Sequence, residues 1–199
     1  LLWWFGIHGP NVMGAVTGPF MTKMMAQNLE LYQAGEGITA SGVFYTAGSK
    51  YSIIANPFAS GWFGPTGSGI TMGLIIAIML FSKRDDFKAI AKLSIPCGIF
   101  NINEPIIFGI PMVMNALFAV PFFLTPVACV CCGYLVQYLG LCPLFVIDVP
   151  WTTPIGLFGF LASSGNIMGA IWQVVIILGV STLIYTPFVI ASNRQTEEA

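Results

Sequence analysis

Charge is what this chain has least of. Lys, Arg, Asp and Glu make up 8% of its 199 residues, with a net charge of -1, against about 25% in a soluble domain. So few charges cannot clothe a folded surface in water, and much of that surface is expected to face lipid. Seven basic residues spread over the chain also exclude a nucleic-acid partner, because neutralising a phosphate backbone takes clustered Lys and Arg. A single histidine, His8, leaves little to hold zinc, which wants three or four convergent ligands. The five cysteines are an odd number and no disulfide framework. Three of them, Cys129, Cys131 and Cys132, would point to different sides of a helix, with no basic neighbour to lower a thiol pKa, and read as apolar packing. A phosphate loop of the GxxxxGK type is absent.

What fills the space is apolar. Hydrophobic residues are 56% of the chain and 22 glycines accompany them. Residues 51–82, 105–147 and 149–193 carry no charge, and each tract exceeds the roughly 20 residues of a membrane-crossing helix. Spanning helices are expected at about 68–82, 112–140 and 165–191. Lys83, Arg84, Lys88 and Lys92 form the one basic loop, which the positive-inside rule places in the cytoplasm. If the tail at Arg194 lies there too, an even number of crossings separates them. Helices at 112–140 and 165–191 satisfy this when the segments around Glu104 and Trp151 dip in and return.

Proline and glycine favour such breaks, with Pro96, Pro105 and Pro111 around Glu104 and Pro150 and Pro154 around Trp151. Non-helical backbone at membrane depth is tolerated where it is buried in protein or lines a wet cavity, and broken helices in transporters flank the substrate. Gly6, Gly9, Pro10, Gly18, Pro19, Gly35, Gly37 and Pro57 are expected to interrupt the first sixty residues similarly. The spacings Gly69–Gly73 and Gly165–Gly169 read as close helix contacts. The fold class expected is an all-α integral membrane protein, with transmembrane helices and re-entrant or broken helical hairpins around a site.

Glu104, in Phe-Asn-Ile-Asn-Glu-Pro, is an ionisable group at the edge of an apolar tract, and such a group is by default functional. The plainer alternative is a carboxyl held by Asn101 or Asn103 to pin a helix break. His8, in Gly-Ile-His-Gly-Pro, either handles a proton or hydrogen bond in a cavity or caps a helix end. Trp3, Trp4, Trp62 and Trp172 read as interfacial belt residues. Trp151, in Asp-Val-Pro-Trp-Thr-Thr-Pro, is either another or an aromatic platform for the C–H face of a sugar. Thr66-Gly67-Ser68-Gly69 opens a helix, as an anion cradle or as a packing kink.

Four segments in order, Gly-Ile-His-Gly at 6–9, Gly-Ser-Gly-Ile-Thr at 67–71, Asn-Ile-Asn-Glu-Pro-Ile-Ile-Phe-Gly-Ile-Pro at 101–111 and Trp-Thr-Thr-Pro at 151–154, carry a resemblance. The chain resembles the lactose/cellobiose/chitobiose family of enzyme IIC permeases in the bacterial phosphoenolpyruvate-dependent phosphotransferase system. The resemblance implies that residues 1–194 are the C-terminal, substrate-binding transmembrane domain of a permease whose N-terminal part is missing, with 195–199 a cytoplasmic tail. It implies a multi-pass protein of the bacterial cell membrane, a homodimer at full length. A β-linked disaccharide would be bound and phosphorylated on its 6-hydroxyl by the phosphocysteine of a IIB protein. Glu104 would be the base at that hydroxyl and His8 would orient it. Trp3 and Trp151 would stack on the sugar, and Asn103 would add a hydrogen bond. No cofactor and no metal is implied; the partners are the disaccharide, the phosphorylated IIB protein and membrane lipid. Two positions depart from the family pattern: Asn56, where an acidic residue often precedes Pro-Phe, and Thr66, where a further glycine often precedes Gly-Ser-Gly. A different class with the same broken segments is a proton-coupled secondary sugar transporter, with Glu104 as proton carrier. A third is a membrane scaffold in which Glu104 only satisfies the break.

Overall fold

A computed structural model describes residues 9–110, 112 and 115–197. Trp3, Trp4 and His8 therefore lie outside the described residues. The regular elements among the described residues are helices and one short hairpin, joined by irregular segments: α1 (Gly9–Gln33), β1 (Ile38–Thr39), β2 (Gly42–Val43), α2 (Asn56–Trp62), α3 (Met72–Phe81), α4 (Asp85–Ile99), α5 (Glu104–Gly109), α6 (Ala116–Tyr138), α7 (Leu157–Ala162), α8 (Ile167–Val174) and α9 (Ser181–Glu197). The strands are antiparallel, with Ile38 opposite Val43. A π-helical stretch, Val175–Val180, joins α8 to α9.

Among the described residues, two helices are long and apolar enough to cross a membrane, Ala116–Tyr138 and Ile167–Asn193. At 23 and 27 residues they reach about 35 and 40 Å, against roughly 30 Å of hydrocarbon. The third expected span is shorter than its apolar tract. Thr66, Gly67, Gly69 and Ile70 all take positive φ, which an α-helix cannot use, so α3 starts at Met72 and has 10 residues, about 15 Å. The first apolar stretch departs the other way, because α1 runs through Gly14, Gly18 and Pro19 without a break. Proline removes one helical hydrogen bond. Among apolar surroundings, giving up the others as well would cost several kcal/mol for each group, and Val12, Met13, Val16 and Phe20 of this helix are all exposed.

The two expected interruptions are present. Around Glu104 the described residues form just the six-residue α5, and 139–156 contains no helix before the six-residue α7. Two clusters of buried side chains flank these interruptions. One gathers Phe58, Trp62, Phe145, Phe158 and Ile177, the other Leu74, Ile78, Phe87, Ile106, Phe118 and Tyr185. Trp62 is fully buried and stacks on Phe145 at 5.2 Å, so it is a core residue rather than the interfacial one expected. Trp172 is half-buried and its indole N–H donates to Leu141 O at 2.9 Å.

Close backbone approach sets the helix packing. A Cβ on Gly73 would overlap Ser181, and one on Gly169 would meet Ser163 and the Gly159 carbonyl, so each position brings its helix against a neighbour, α3 on α9 and α8 on α7. At the far end of α3, Asn193 of α9 accepts from Lys83 N at 2.9 Å and donates to Phe81 O at 3.0 Å. The basic turn and the end of α9 thus lie together. In that turn Arg84 pairs with Asp86 at 3.1 and 2.6 Å and covers the Phe87 ring at 3.7 Å. The guanidinium holds the Asp86 carboxyl below its usual range, and the main hydrogen bond does most of this.

Candidate functional site

The three described motif segments lie far apart in sequence, and two buried asparagines join them. Asn101 is 5% exposed. Its Oδ1 accepts from Thr66 N at 2.7 Å, and its Nδ2 donates to Trp151 O at 2.5 Å and to Thr153 O at 2.9 Å. Asn103 lies two residues on, and its Nδ2 donates to Ser68 O at 2.6 Å. The Gly-Ser-Gly turn, the Asn-Glu-Pro segment and the Trp-Thr-Thr-Pro segment therefore meet in one place.

Local backbone explains why this sequence folds so. Asn101 has φ 65°, a left-handed conformation that asparagine tolerates better than most residues. It turns the chain out of α4, and Pro105 in the first turn of α5 suits a helix start, where its missing N–H costs nothing. Gly67, at φ 75°, presses directly on the Asn103 amide, and any Cβ there would overlap it. Thr66 also has positive φ, 56°, where a β-branched residue is strained. Three hydrogen bonds hold it: Asn101 to its N–H, Thr71 Oγ1 to its carbonyl at 3.1 Å, and Met72 N to its hydroxyl at 3.2 Å.

Glu104 opens α5 and is exposed, and no described residue bonds its carboxylate. The alternative in which Asn101 or Asn103 pins that carboxyl does not hold, since both side chains are bonded to backbone instead. Trp151 is 60% exposed; its carbonyl is held by Asn101 while its indole face is open. The segments that carry Glu104, Asn103 and Trp151 thus meet. Sequence reasoning missed the role of Asn101, whose signal is a second asparagine at a helix break. It also missed Gln173, which is fully buried. Gln173 accepts from Gly156 N at 2.9 Å and Gly159 N at 2.8 Å and donates to Gly61 O at 3.1 Å, capping α7 at the end of the Trp151 segment. A lone amide in Ile-Trp-Gln-Val-Val was its signal.

No group of three or more His, Cys, Asp or Glu able to hold a metal occurs among the described residues. Cys129 is buried, Cys132 half-buried and Cys131 exposed, three directions on one helix. A cavity of about 440 Å³ lined by Gln27, Glu30, Leu31, Ala34 and Lys50 uses none of the motif residues.

Residues 1–126 match the family model described as phosphotransferase system, EIIC. The cellobiose-specific EIIC component of Lactococcus lactis is 38% identical over 99% of this chain and 42% of its own length. The lactose-specific EIICB component of Staphylococcus aureus is 33% identical over 94% of this chain and 31% of its own length. The crystal structure of the transporter ChbC, the IIC component from the N,N'-diacetylchitobiose-specific phosphotransferase system, superposes with a TM-score of 0.85 at 36% identity, covering 99% of this chain and 43% of that one. This chain spans less than half the length of these relatives. With a matched family model over most of its residues and a helical fold shared with a membrane transporter, the chain belongs to the phosphotransferase system EIIC family.

Proposed function

We propose that the chain is the sugar-binding, membrane-spanning domain, residues 1–194 with a cytoplasmic tail at 195–199, of a bacterial cell-membrane permease that phosphorylates a β-linked disaccharide as it enters. The observation that carries this reading is the junction at Asn101 and Asn103, which leaves the Glu104 carboxylate and the Trp151 indole exposed beside each other's segments. The names of the relatives, cellobiose-, lactose- and diacetylchitobiose-specific, support a disaccharide. One relative named as an EIICB component supports a IIB protein as the phosphoryl donor. The full-length permease works as a homodimer in lipid.

In this reading Trp151, with Trp3, stacks on the sugar rings, and the Asn103 amide adds a hydrogen bond through atoms not committed to Ser68. His8 orients the 6-hydroxyl. Glu104 accepts its proton as the hydroxyl oxygen forms a bond to phosphorus and the phosphorus–sulfur bond to the IIB cysteine breaks, leaving a thiolate. Phosphoryl transfer depends chiefly on such positioning, and a base must lie within hydrogen-bond reach of the attacking hydroxyl.

The test is uptake of radiolabelled cellobiose and diacetylchitobiose by vesicles from cells expressing the gene that encodes this chain, with and without phosphoenolpyruvate and the soluble phosphotransferase proteins. Wild type should form sugar phosphate only with phosphoenolpyruvate, and Glu104→Gln should lose at least about a hundredfold of that rate. Uptake of unmodified sugar that ignores phosphoenolpyruvate and follows a pH gradient would replace this reading with a proton-coupled transporter. Unchanged sugar binding and phosphorylation in Glu104→Gln would reduce Glu104 to a helix-break residue.

A further inference from the structure

Nothing in regular secondary structure holds Trp151. It lies in 139–156, which has no helix or strand. On either side the segment is tied down, by Val146 and Ile147 N–H groups to Ala162 O at 2.9 and 3.1 Å and by Gly156 N–H to Gln173. Among the described residues, the hydrogen bonds that fasten 148–153 to the rest of the molecule are the two from Asn101 Nδ2. Asn101 is three residues from Glu104, and its other side-chain atom holds Thr66. A single buried amide therefore ties the Trp151 segment to the segment that carries Glu104.

We infer that Asn101 is a positioning residue for sugar, acting through Trp151: it holds the Trp151 segment at the spacing from Glu104 that lets one sugar touch both. The inference rests on the permease reading above. It differs from a purely architectural role because α4, α5 and α7 are packed by their own apolar residues, whereas the Trp151 carbonyl has no other partner among the described residues. Val149 stays packed in the core, so losing the amide donors should loosen the Trp151 end of the 148–153 segment and weaken sugar binding, while the chemistry at Glu104 continues once sugar is bound.

Asn101→Asp is the suited variant. Aspartate accepts the Thr66 N–H and tolerates the left-handed backbone, but it places an oxygen, in place of a donor, against two carbonyls. Sugar phosphorylation is measured in the same vesicles for wild type, Asn101→Asp, Trp151→Ala and the double variant, on whichever of cellobiose and diacetylchitobiose wild type accepts. Expected is a KM for sugar raised about tenfold in Asn101→Asp with kcat within about twofold, and a double variant no worse than Trp151→Ala alone. The inference is overturned by a KM unchanged in Asn101→Asp, by a kcat that falls with the amount of folded protein at constant KM, by penalties that add in the double variant, or by a Trp151→Ala that shifts nothing. If Asn101→Asp does not reach the membrane, Asn101→Gly keeps the φ and removes the amide, and the same criteria apply. Absence of sugar phosphate from wild type itself would remove the permease reading and this inference with it. That failure is told apart because it precedes any comparison of variants.

Discussion

Gly67 and Asn103 show how narrow the tolerances are at the motif junction. Both Gly67 and Gly48 have positive φ, 75° and 88°, but a Cβ on Gly48 would meet open space and one on Gly67 would overlap the Asn103 amide. Gly48→Ala should therefore cost about 1–2 kcal/mol for backbone conformation alone, and Gly67→Ala about 2–4 kcal/mol with the overlap added. Thermal unfolding of the two purified variants in one detergent checks the order; equal losses would mean that the Asn103 side chain moves aside freely. A second residue-scale prediction concerns alkaline pH. Tyr51 is buried and its hydroxyl donates to Glu36 O at 2.8 Å. Burial first, and then the Glu36 carboxylate, raise its pKa above the usual 10.0. Its contribution is therefore whole below the unfolded value and is lost as pH rises through the higher folded one. The difference in unfolding midpoint between wild type and Tyr51→Phe should shrink above about pH 10, and a difference constant to higher pH would contradict it. At this scale the sequence showed that Glu104 and Trp151 stand at breaks. It could not show that Asn101 serves backbone carbonyls fifty residues away, because an asparagine's partner is decided by tertiary approach and leaves no periodic trace.

Among the elements, the Trp151 segment depends on Gln173 as much as on its own residues. Gln173→Leu would leave Gly156 N, Gly159 N and Gly61 O without partners in the interior, at a cost of about 2–5 kcal/mol. Gln137 offers the control. It too is buried, but it makes one hydrogen bond, from Nε2 to Pro143 O at 2.9 Å, and its Oε1 has no partner among the described residues. Gln137→Leu should cost less than half as much as Gln173→Leu in thermal unfolding, and the reverse order would contradict the capping role. Length and hydropathy made the two long helices legible, and clustered proline made the breaks at Glu104 and Trp151 legible. The same signals put a break at Gly18 and Pro19 that α1 does not have, and started α3 four residues early. Proline and glycine mark where a helix is weakened, yet whether it ends there depends on what else can bond the freed groups. At Pro19 nothing better is on offer, while at 66–71 Asn101, Thr71 and Tyr185 supply partners, the last donating to Gly69 O at 2.7 Å.

For the whole molecule, the long helices run in opposite directions. The end of α6 meets α8 through Leu141 and Trp172, and the end of α9 meets the basic turn through Asn193. In a variant with the native cysteines replaced, Lys88→Cys should react with a membrane-impermeant thiol reagent from the cytoplasmic face and Leu141→Cys from the opposite face. Labelling of both from one face would refute the assigned orientation. The closing of this arrangement on itself also has a temporal side. The short α3 lies chiefly against α9 and is clasped by Asn193, 110 positions after Lys83. At ordinary rates of synthesis that separation is on the order of ten seconds. A helix of about 15 Å cannot hold a place across the bilayer unaided, so the newborn hairpin of α3 and α4 must wait, at the interface or in the care of the insertion machinery, until α9 arrives. Ribosomes stalled before residue 181 should leave it open to protease, and only chains released beyond Asn193 should shield it.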